Sequence, residues 1–357
     1  MPSNHGLILA GGRGTRFWPR SRRTNAKQVL RFFGERSLIQ QTVDSLRPVL
    51  PPERIWILTN DYLRAEIVRQ LPQVPSSQIL AEPAQRNTAP AIGLAAQMIQ
   101  SVDPNAVMGV FPADHVISKP RDYVRLLRPA FSAAKEGNIV VLGIQPRWPE
   151  TGYGYIEFPK GTKPGSLKAA PVRRFREKPD EATAKRFLRA GNFCWNAGMF
   201  FWKTSVVLEA LREFQPKTSS LLASLPPFGS KNFSAELKST FPLCENISID
   251  YAVLERAKNV VGLLASDIGW NDVGSWNAVY ELHKPDKSAN VLRSDALIES
   301  STGNYVDASG KLVALLGVRD LIVVDTPDAL LIADRARAQQ VGDLVKQLEK
   351  SRRDELL

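Results

Sequence analysis

The sequence has few of the residues that mark several large classes of protein. It contains only two cysteines, Cys194 and Cys244, which excludes a disulfide framework and a cysteine-rich zinc site. Three histidines leave little room for histidine-based nucleophilic catalysis. Its apolar runs are far shorter than the roughly 18 residues that span a membrane, and residues 1–9 lack the features of a secretory signal. We therefore predict a cytoplasmic protein without a membrane partner.

The composition is that of an ordinary globular protein, apart from its charge. Apolar residues make up 43% and charged residues 23% of the 357 positions, which excludes disordered, collagen-like and coiled-coil chains and suggests about two domains. The formal net charge is +11. No zinc-finger, recognition-helix or RNA-binding signature accompanies this charge, so we expect small anionic substrates and no nucleic-acid partner. The densest basic cluster consists of Arg13, Arg16, Arg20, Arg22, Arg23 and Lys27.

Alternating apolar and amphipathic segments predict an α/β fold. Strands without a polar face are predicted at 6–10, 55–59, 77–80, 106–111 and 138–144, and helices at 37–50, 62–71, 90–102 and 123–135. Such strands are typical of a Rossmann-like, mostly parallel sheet with helices on both faces. Ligands of these sheets bind beyond the carboxyl ends of the strands.

The pattern changes near residue 286. Short strand-like segments follow one another at 296–299, 304–307, 312–318, 321–325 and 329–332, and a helix is predicted near 336–350. We predict a large α/β domain at 1–285. A small β-rich domain with a terminal helix is predicted at 286–357.

A glycine-rich loop, Gly11-Gly12-Arg13-Gly14, follows the first predicted strand. Amide groups in such a loop bind phosphate oxygens, while arginine and lysine neutralise their charge. The spacing matches neither the P-loop nor the dinucleotide-binding glycine motif. A glycine loop alone is more often only a tight turn, but the two cations Arg16 and Lys27 behind it favour a phosphate site.

Two carboxylates are candidate metal ligands. Asp114 comes just after the buried strand at 106–111, and Asp272 lies between Trp270 and Trp276. A magnesium ion that bridges triphosphate oxygens needs only one or two protein carboxylates. The structural alternatives are a turn cap for Asp114 and a solvated turn for Asp272, and we favour the metal in both cases. We expect a structural or supporting role for His115.

Eight segments together resemble the sugar-nucleotide pyrophosphorylases, and among them the mannose-1-phosphate guanylyltransferases. They occur in family order, at 9–19 with 26–28, 82–90, 111–115, 151–156, 175–179, 195–200, 248–251 and 269–276. The sequence departs from the family at Ala26, where proline is usual. The tail after residue 286 is similar to the short left-handed β-helix-like domain of monofunctional relatives, which implies a homodimer. The phosphomannose isomerase activity of longer relatives is not expected.

The resemblance implies that a nucleotidyltransferase domain transfers GMP from GTP to mannose 1-phosphate, giving GDP-mannose and pyrophosphate, with Mg²⁺ as cofactor. A sugar phosphate is itself an anionic nucleophile, so its oxygen can attack the α-phosphorus in line without a covalent intermediate. Arg16 and Lys27 would bind the triphosphate and the departing pyrophosphate, and Lys178 would orient the attacking phosphate. Asp114 and Asp272 would hold the metal.

The resemblance also assigns two sets of binding residues. The nucleotide would contact Gly11, Gly12, Gly14, Thr15, Glu82, Arg86, Asn87 and Thr88. The sugar phosphate would contact Gly152, Tyr153, Gly154, Glu177, Asn196, Gly198 and Asp250. The alternatives are ordinary structural roles: a helix cap for 86–88, a tight hairpin for 151–155, a surface ion pair for 177–178 and a buried polar turn for 196–198.

Two other functions remain open. Composition and spacing do not separate guanine from adenine or mannose from glucose, so another nucleotidyltransferase is the nearest alternative. A sugar-nucleotide-binding regulatory subunit without turnover is the second. The intact cations and carboxylates argue against the second alternative, since a subunit without catalysis has no chemical reason to keep both metal carboxylates.

Overall fold

The computed structural model describes residues 3–357, and a mixed sheet with helices on both faces makes up its larger part. The strands are β1 (Asn4–Leu9), β2 (Ile55–Asn60), β3 (Ile79–Glu82), β4 (Val107–Pro112), β5 (Val116–Ile117), β6 (Ile139–Ile144), β7 (Tyr155–Glu157), β8 (Ala170–Pro171), β9 (Arg174–Arg176), β10 (Phe193–Lys203), β11 (Val260–Leu264) and β12 (Trp270–Asn271). The helices are α1 (Leu38–Leu46), α2 (Asp61–Gln70), α3 (Thr88–Val102), α4 (Pro120–Lys135), α5 (Glu181–Ala190), α6 (Thr204–Phe214), α7 (Pro216–Ala223), α8 (Phe233–Thr240) and α9 (Trp276–Leu282).

The main sheet has the strand order β3-β2-β1-β4-β10-β6-β11-β8, with β7 beside β10 and β9 beside β7. The pairs among β3, β2, β1 and β4 are parallel, as is the pair of β6 with β11. This confirms the mostly parallel sheet expected from the sequence. The long strand β10 is antiparallel to both of its neighbours, β4 and β6, and the sequence analysis predicted no strand there.

Each central strand has two buried faces, because cores lie on both sides of the sheet. Ile8 and Val140 belong to the core that includes α4, whereas Leu7 and Val141 belong to the core that includes α3. Helix α1 begins with the expected capping box at Ser37. It ends at Leu46 and not at residue 50, because Pro48 has no amide hydrogen to continue the helical hydrogen bonds.

The C-terminal region forms two short parallel stacks. Its strands are β13 (Val291–Leu292), β14 (Ala296–Glu299), β15 (Tyr305–Asp307), β16 (Val313–Leu316), β17 (Leu321–Asp325) and β18 (Leu330–Asp334). Strands β13, β15 and β17 pair in parallel, β14 pairs in parallel with β16, and β18 closes the first stack antiparallel to β17. Because successive strands alternate between the two stacks, the chain coils like a β-helix. Helix α10 (Val341–Lys350) follows a 3-10 segment at Arg335–Gln340.

A shared aromatic core joins the C-terminal stacks to the large domain. Trp276 is fully buried, and its ring contacts Phe17, Phe32 and Tyr305. Its indole N–H also donates to the carbonyl of Trp18 at 3.1 Å. The segment after the glycine loop is therefore packed between the two regions, and the domain limit at 285/286 stays a prediction. Within residues 3–357, no helix has both the length and the apolar character required to cross a membrane.

Candidate active site

Lys27 is a buried cation at the centre of the candidate site. Its side chain is 7% exposed, and its Nζ donates to Asp114 Oδ2 at 2.8 Å and to the main-chain carbonyl of Asp272 at 2.7 Å. The backbone of Gly14 lies directly against it, since a Cβ at Gly14 would be 2.6 Å from the Cβ of Lys27. Glycine is required there for a second reason, because the φ angle is +63°.

A two-stranded ribbon brings the two carboxylates to the same place. Strands β5 and β12 pair antiparallel, with Asn271 opposite Val116. Continuing this register puts Asp272 opposite His115, the residue next to Asp114. A turn in which Asn271 accepts from the Val273 amide at 2.7 Å holds the end of the ribbon, with Val273 at a left-handed φ of +48°. This strained conformation in a β-branched residue follows the carbonyl that accepts from Lys27.

The electrostatic environment keeps Asp114 ionised. Burial alone would raise its pKa, but the neighbouring positive charges and the hydrogen bond from Lys27, which contributes most, together outweigh burial and lower the pKa of Asp114 below its usual range. Burial also lowers the pKa of His115, whose Nδ1 accepts from the indole N–H of Trp270 at 3.2 Å. His115 is therefore neutral near pH 7 and supports the ribbon through Trp270.

The carboxylates fit a hard divalent cation that also binds substrate phosphates. Asp114 uses Oδ2 for Lys27, and Asp272 accepts from the Tyr153 hydroxyl on Oδ1 at 2.6 Å. Each carboxylate thus has one oxygen outside these bonds. Among residues 3–357, no group of three or more histidine, cysteine, aspartate or glutamate side chains could hold a metal alone. This donor set suits Mg²⁺, which binds through one or two carboxylates together with phosphates and water.

The glycine loop lines a cavity of about 820 Å³ beyond the ends of β1, β3 and β4. Eight of the predicted residues line it: Gly11, Gly12, Gly14, Thr15, Glu82, Asn87, Thr88 and Asp114. The side-chain amide of Gln28 donates to the carbonyls of Ala10 and Gly12 at 2.6 and 3.0 Å. Gln28 therefore fixes the backbone conformation of the loop through two hydrogen bonds. The volume and the amide-rich wall suit a nucleotide.

The segment after β3 contributes the far wall of this cavity. Burial raises the pKa of Glu82 to about 8. Asn87 has φ +63° and ψ −170°, a region occupied almost only by glycine, so its backbone is strained at the cavity wall. The hydroxyl of Thr88 accepts from the amide of Ile249 at 2.9 Å. Arg86 does not line the cavity, because its guanidinium donates to the carbonyl of Pro242.

The predicted sugar-phosphate residues form a second group next to the ribbon. Tyr153 packs edge-on against Trp195 and Trp270 and bonds to Asp272. Burial, and then the Asp272 charge, raise the pKa of the Tyr153 hydroxyl, so it remains a donor. Gly154 lies in close contact with Glu177, since a Cβ there would be 2.5 Å from the Glu177 carboxylate oxygen. The amide of Gly152 donates to Glu150 at 2.8 Å.

A buried carboxyl, Glu177, and a half-buried one, Asp250, lie close to this loop. Burial raises the pKa of Glu177, and burial together with the Glu177 charge raises the pKa of Asp250. Asn196 donates to Asp250 at 3.1 Å and accepts from the Gly198 amide at 3.1 Å. Gly198 has φ +68° within an irregular stretch of β10 and lies against His115. This contact connects the predicted sugar-phosphate residues to the segment that carries Asp114.

Two predicted cations, Lys178 and Arg16, are exposed, and neither is among the residues that line the cavity. Lys178 has a left-handed φ of +43°, its amide donates to the Tyr153 carbonyl at 3.2 Å, and its Nζ lies 3.1 Å from Glu177. Arg16 donates to Gln339 at 2.8 Å. The remaining arginines of the basic cluster bond to C-terminal acids, in the pairs Arg13–Glu349, Arg20–Asp307, Arg22–Asp328 and Arg23–Asp354.

Sequence reasoning missed several residues that line the cavity beside the glycine loop. These are Gln28, Asn60, Gln85, Asn246 and four residues of α10, Gly342, Val345, Lys346 and Glu349. Gln28 stood beside a predicted residue and could have been found from that position. The residues of α10 carried no local signal, because their helical spacing is also that of an ordinary packed helix.

The fold and the site define a class of protein. Residues 5–289 match the family model described as Nucleotidyl transferase, and residues 297–348 match the MannoseP isomerase/GMP-like beta-helix domain. The chain belongs to the nucleotidyl transferase family.

Its relatives are more specific. The chain is 38% identical over 354 residues to a mannose-1-phosphate guanylyltransferase of Klebsiella pneumoniae, covering 98% of this chain and 74% of that protein. It is 38% identical over 353 residues to the xanthan biosynthesis protein XanB of Xanthomonas campestris pv. campestris, with the same coverage. A crystal structure described as mannose-1-phosphate geranyltransferase from Thermus thermophilus superposes with a TM-score of 0.85 at 32% identity, over 97% of this chain and 99% of that one.

We predict that Lys27→Met destabilises the protein by about 1–3 kcal/mol at pH 7, because Asp114 loses its partner but is still 37% exposed and partly solvated. Since Lys27 lowers the pKa of Asp114, this contribution is present above the usual aspartate range and is lost as the pH falls through the lowered value. The free energies of unfolding of the wild type and Lys27→Met, measured in urea, should therefore differ less at pH 3 than at pH 7.

Lys119→Met is the matched control. Lys119 pairs with Asp267, and both side chains are exposed, so we expect a change below about 0.5 kcal/mol at either pH. Equal effects of the two substitutions would refute the central role given to Lys27.

Proposed function

We propose that this chain transfers GMP from GTP to mannose 1-phosphate, releasing pyrophosphate and forming GDP-mannose. The observation that carries the proposal is the junction at Lys27, Asp114 and Asp272. It joins a nucleotide-sized cavity, which Asp114 lines, to the loop that carries Tyr153, whose hydroxyl donates to Asp272. The names of the relatives support guanine and mannose as the base and the sugar.

The geometry supports catalysis by positioning and charge neutralisation. Amides of the glycine loop would bind the triphosphate, with Lys27 and Arg16 as the nearby cations. The sugar would lie between Tyr153 and Asn196, while the exposed Lys178 would orient its phosphate. An oxygen of that phosphate then attacks the α-phosphorus in line, and the bond to the departing pyrophosphate breaks. No covalent enzyme intermediate is required, because the attacking phosphate is already anionic.

Magnesium is part of the proposal, with Asp114 and Asp272 as its protein ligands. When bound, it would neutralise the phosphate charge that develops as pyrophosphate departs. Lys27 positions both residues, through the carboxylate of one and the main chain of the other. The low pKa of Asp114 keeps it available as an anionic ligand at neutral pH.

Pyrophosphate release tests the proposed reaction. With Mg²⁺ present, four nucleoside triphosphates are crossed with mannose, glucose and N-acetylglucosamine 1-phosphates. We expect the highest kcat/KM for GTP with mannose 1-phosphate. A maximum at another pair would replace the substrate assignment, and release in no combination would favour a regulatory subunit.

We predict that Asp114→Asn and Asp272→Asn each lower kcat by about 10²-fold or more, with less than about fivefold change in GTP affinity. Asp272→Asn is the cleaner variant, because Lys27 contacts the main chain of Asp272 and keeps that bond. Turnover and equilibrium GTP binding are measured on both. Asp267→Asn, on an exposed carboxylate, is the control, and wild-type turnover in both site variants would refute the metal assignment.

We also propose a homodimer formed through the C-terminal stacks. Leu297 on β14 and Leu316 on β16 share a face in the observed register and are 64% and 75% exposed. Leu330 and Ile332 on the edge strand β18 are 55% and 61% exposed. Apolar side chains concentrated in this way favour a second copy as the partner. A cytoplasmic location stays a prediction from the sequence.

The dimer proposal predicts that Leu297→Ser and Leu316→Ser each weaken self-association by about tenfold or more, the value expected from loss of one buried leucine. Sedimentation over a range of concentrations measures this. Leu243→Ser, on a leucine of the large domain that is 59% exposed, should leave association unchanged. A wild-type chain that stays monomeric throughout would overturn the proposal.

A further inference from the structure

Helix α10 forms one wall of the nucleotide cavity. Gly342, Val345, Lys346 and Glu349 line the same cavity as the glycine loop, and their spacing of i, i+3, i+4 and i+7 puts them on a single helix face. The first turn of the helix lies close to the loop, since a Cβ at Gly342 would be 3.4 Å from the Thr15 hydroxyl. The wall therefore faces the position where the loop amides would hold phosphates.

Arg13 of the glycine loop is paired with a carboxylate of α10. The Arg13 guanidinium lies 2.5 Å from Glu349 Oε1, and both residues line the cavity. The two side chains are 41% and 34% exposed, so water and ligand reach the pair. A phosphate group that approaches Arg13 is negatively charged, as Glu349 is. It would accept hydrogen bonds from the same guanidinium N–H groups. The carboxylate thus occupies a phosphate-like position on Arg13.

Lys346, a cation of α10 itself, is held only weakly by its ion pair. Lys346 pairs with Asp343 at 2.8 Å within the helix, but the two side chains are 72% and 61% exposed. Such exposed pairs contribute little and rearrange readily. Lys346 also lines the cavity, so its flexible side chain can leave Asp343 for an anionic ligand on the loop side.

We propose that α10 acts as a second, phosphate-binding wall of the nucleotide site, in which Lys346 contacts the triphosphate and Glu349 competes with the triphosphate for Arg13. The inference rests on the proposed function and deepens it, because it adds two residues outside all the motifs of the catalytic domain. It also makes the C-terminal region part of the nucleotide site within one chain. Glu349 then tunes GTP affinity downward, while Lys346 raises it.

Equilibrium binding of Mg²⁺–GTP without a sugar phosphate tests the proposal independently of turnover. In Glu349→Gln, the neutral amide can still accept from Arg13, but the competing charge is gone. We expect the Kd for GTP to fall by roughly two- to fivefold, as for loss of an exposed charge interaction. The gain should shrink in high salt because the pair is solvent-accessible.

Lys346→Met tests the opposite sign. We expect the Kd for GTP to rise by about fivefold, because one phosphate contact is lost. Two controls match these changes: Asp354→Asn removes the pair with Arg23 in the same interface, and Lys350→Gln removes a charge from the same helix. Neither Asp354 nor Lys350 lines the cavity, so both should bind GTP like the wild type.

The outcomes separate the two levels of the proposal. If the wild type binds no nucleotide, the proposed function fails and the inference fails with it. If the wild type binds GTP but Glu349→Gln binds it more weakly, Glu349 only positions Arg13 and the competition is refuted. If Glu349→Gln and Lys346→Met both bind GTP with the wild-type Kd, α10 is not part of the nucleotide site.

Discussion

The buried ammonium of Lys27 is the constraint on which the rest of the site depends. A charge removed from water needs partners that compensate for its lost hydration, and Lys27 has two, the Asp114 carboxylate and the Asp272 carbonyl. These three residues come from the segment after the glycine loop, the end of β4 and the β12 ribbon. The hydrogen bonds of this one cation therefore bring together the glycine loop and both candidate metal ligands. The packing of Gly14 against Lys27 and the strained backbone at Val273 are local consequences of that arrangement.

A second set of charges couples the two regions of the chain. Four arginines of the glycine loop and the segment after it pair with acidic residues of the C-terminal region. The buried ring of Trp276 packs between the same two regions. Individually, exposed pairs of this kind stabilise little. Together with the aromatic core they hold the loop in one place, which lowers the ordering cost when an anionic ligand binds. Most of the basic cluster near the glycine loop is thus neutralised by acids of the same chain.

Much of the fold was predictable because its signals are local. Apolar strands, the capping box at Ser37 and the glycine loop are each visible within a few residues. Strand β10 was missed because it includes Asn196 and Gly198, a polar and glycine-containing stretch that is typical of a turn. In the structure that stretch is an irregularity within a long antiparallel strand. Arg86 shows the same limit in the site, since its neighbours line the cavity while its own side chain bonds to Pro242.

The sequence by itself determined the alternating α/β framework, the glycine loop and the order of motifs that indicates a nucleotidyl transferase. It also determined which residue types are available to bind phosphate and metal. Only the tertiary structure decided which partner each charge has: Lys27 bonds to Asp114, 87 residues away, and Arg13 bonds to Glu349, 336 residues away. The physical reason is that backbone propensities act over a few residues, whereas an ion pair depends on where distant segments meet. The role of α10 as a cavity wall follows from that meeting alone.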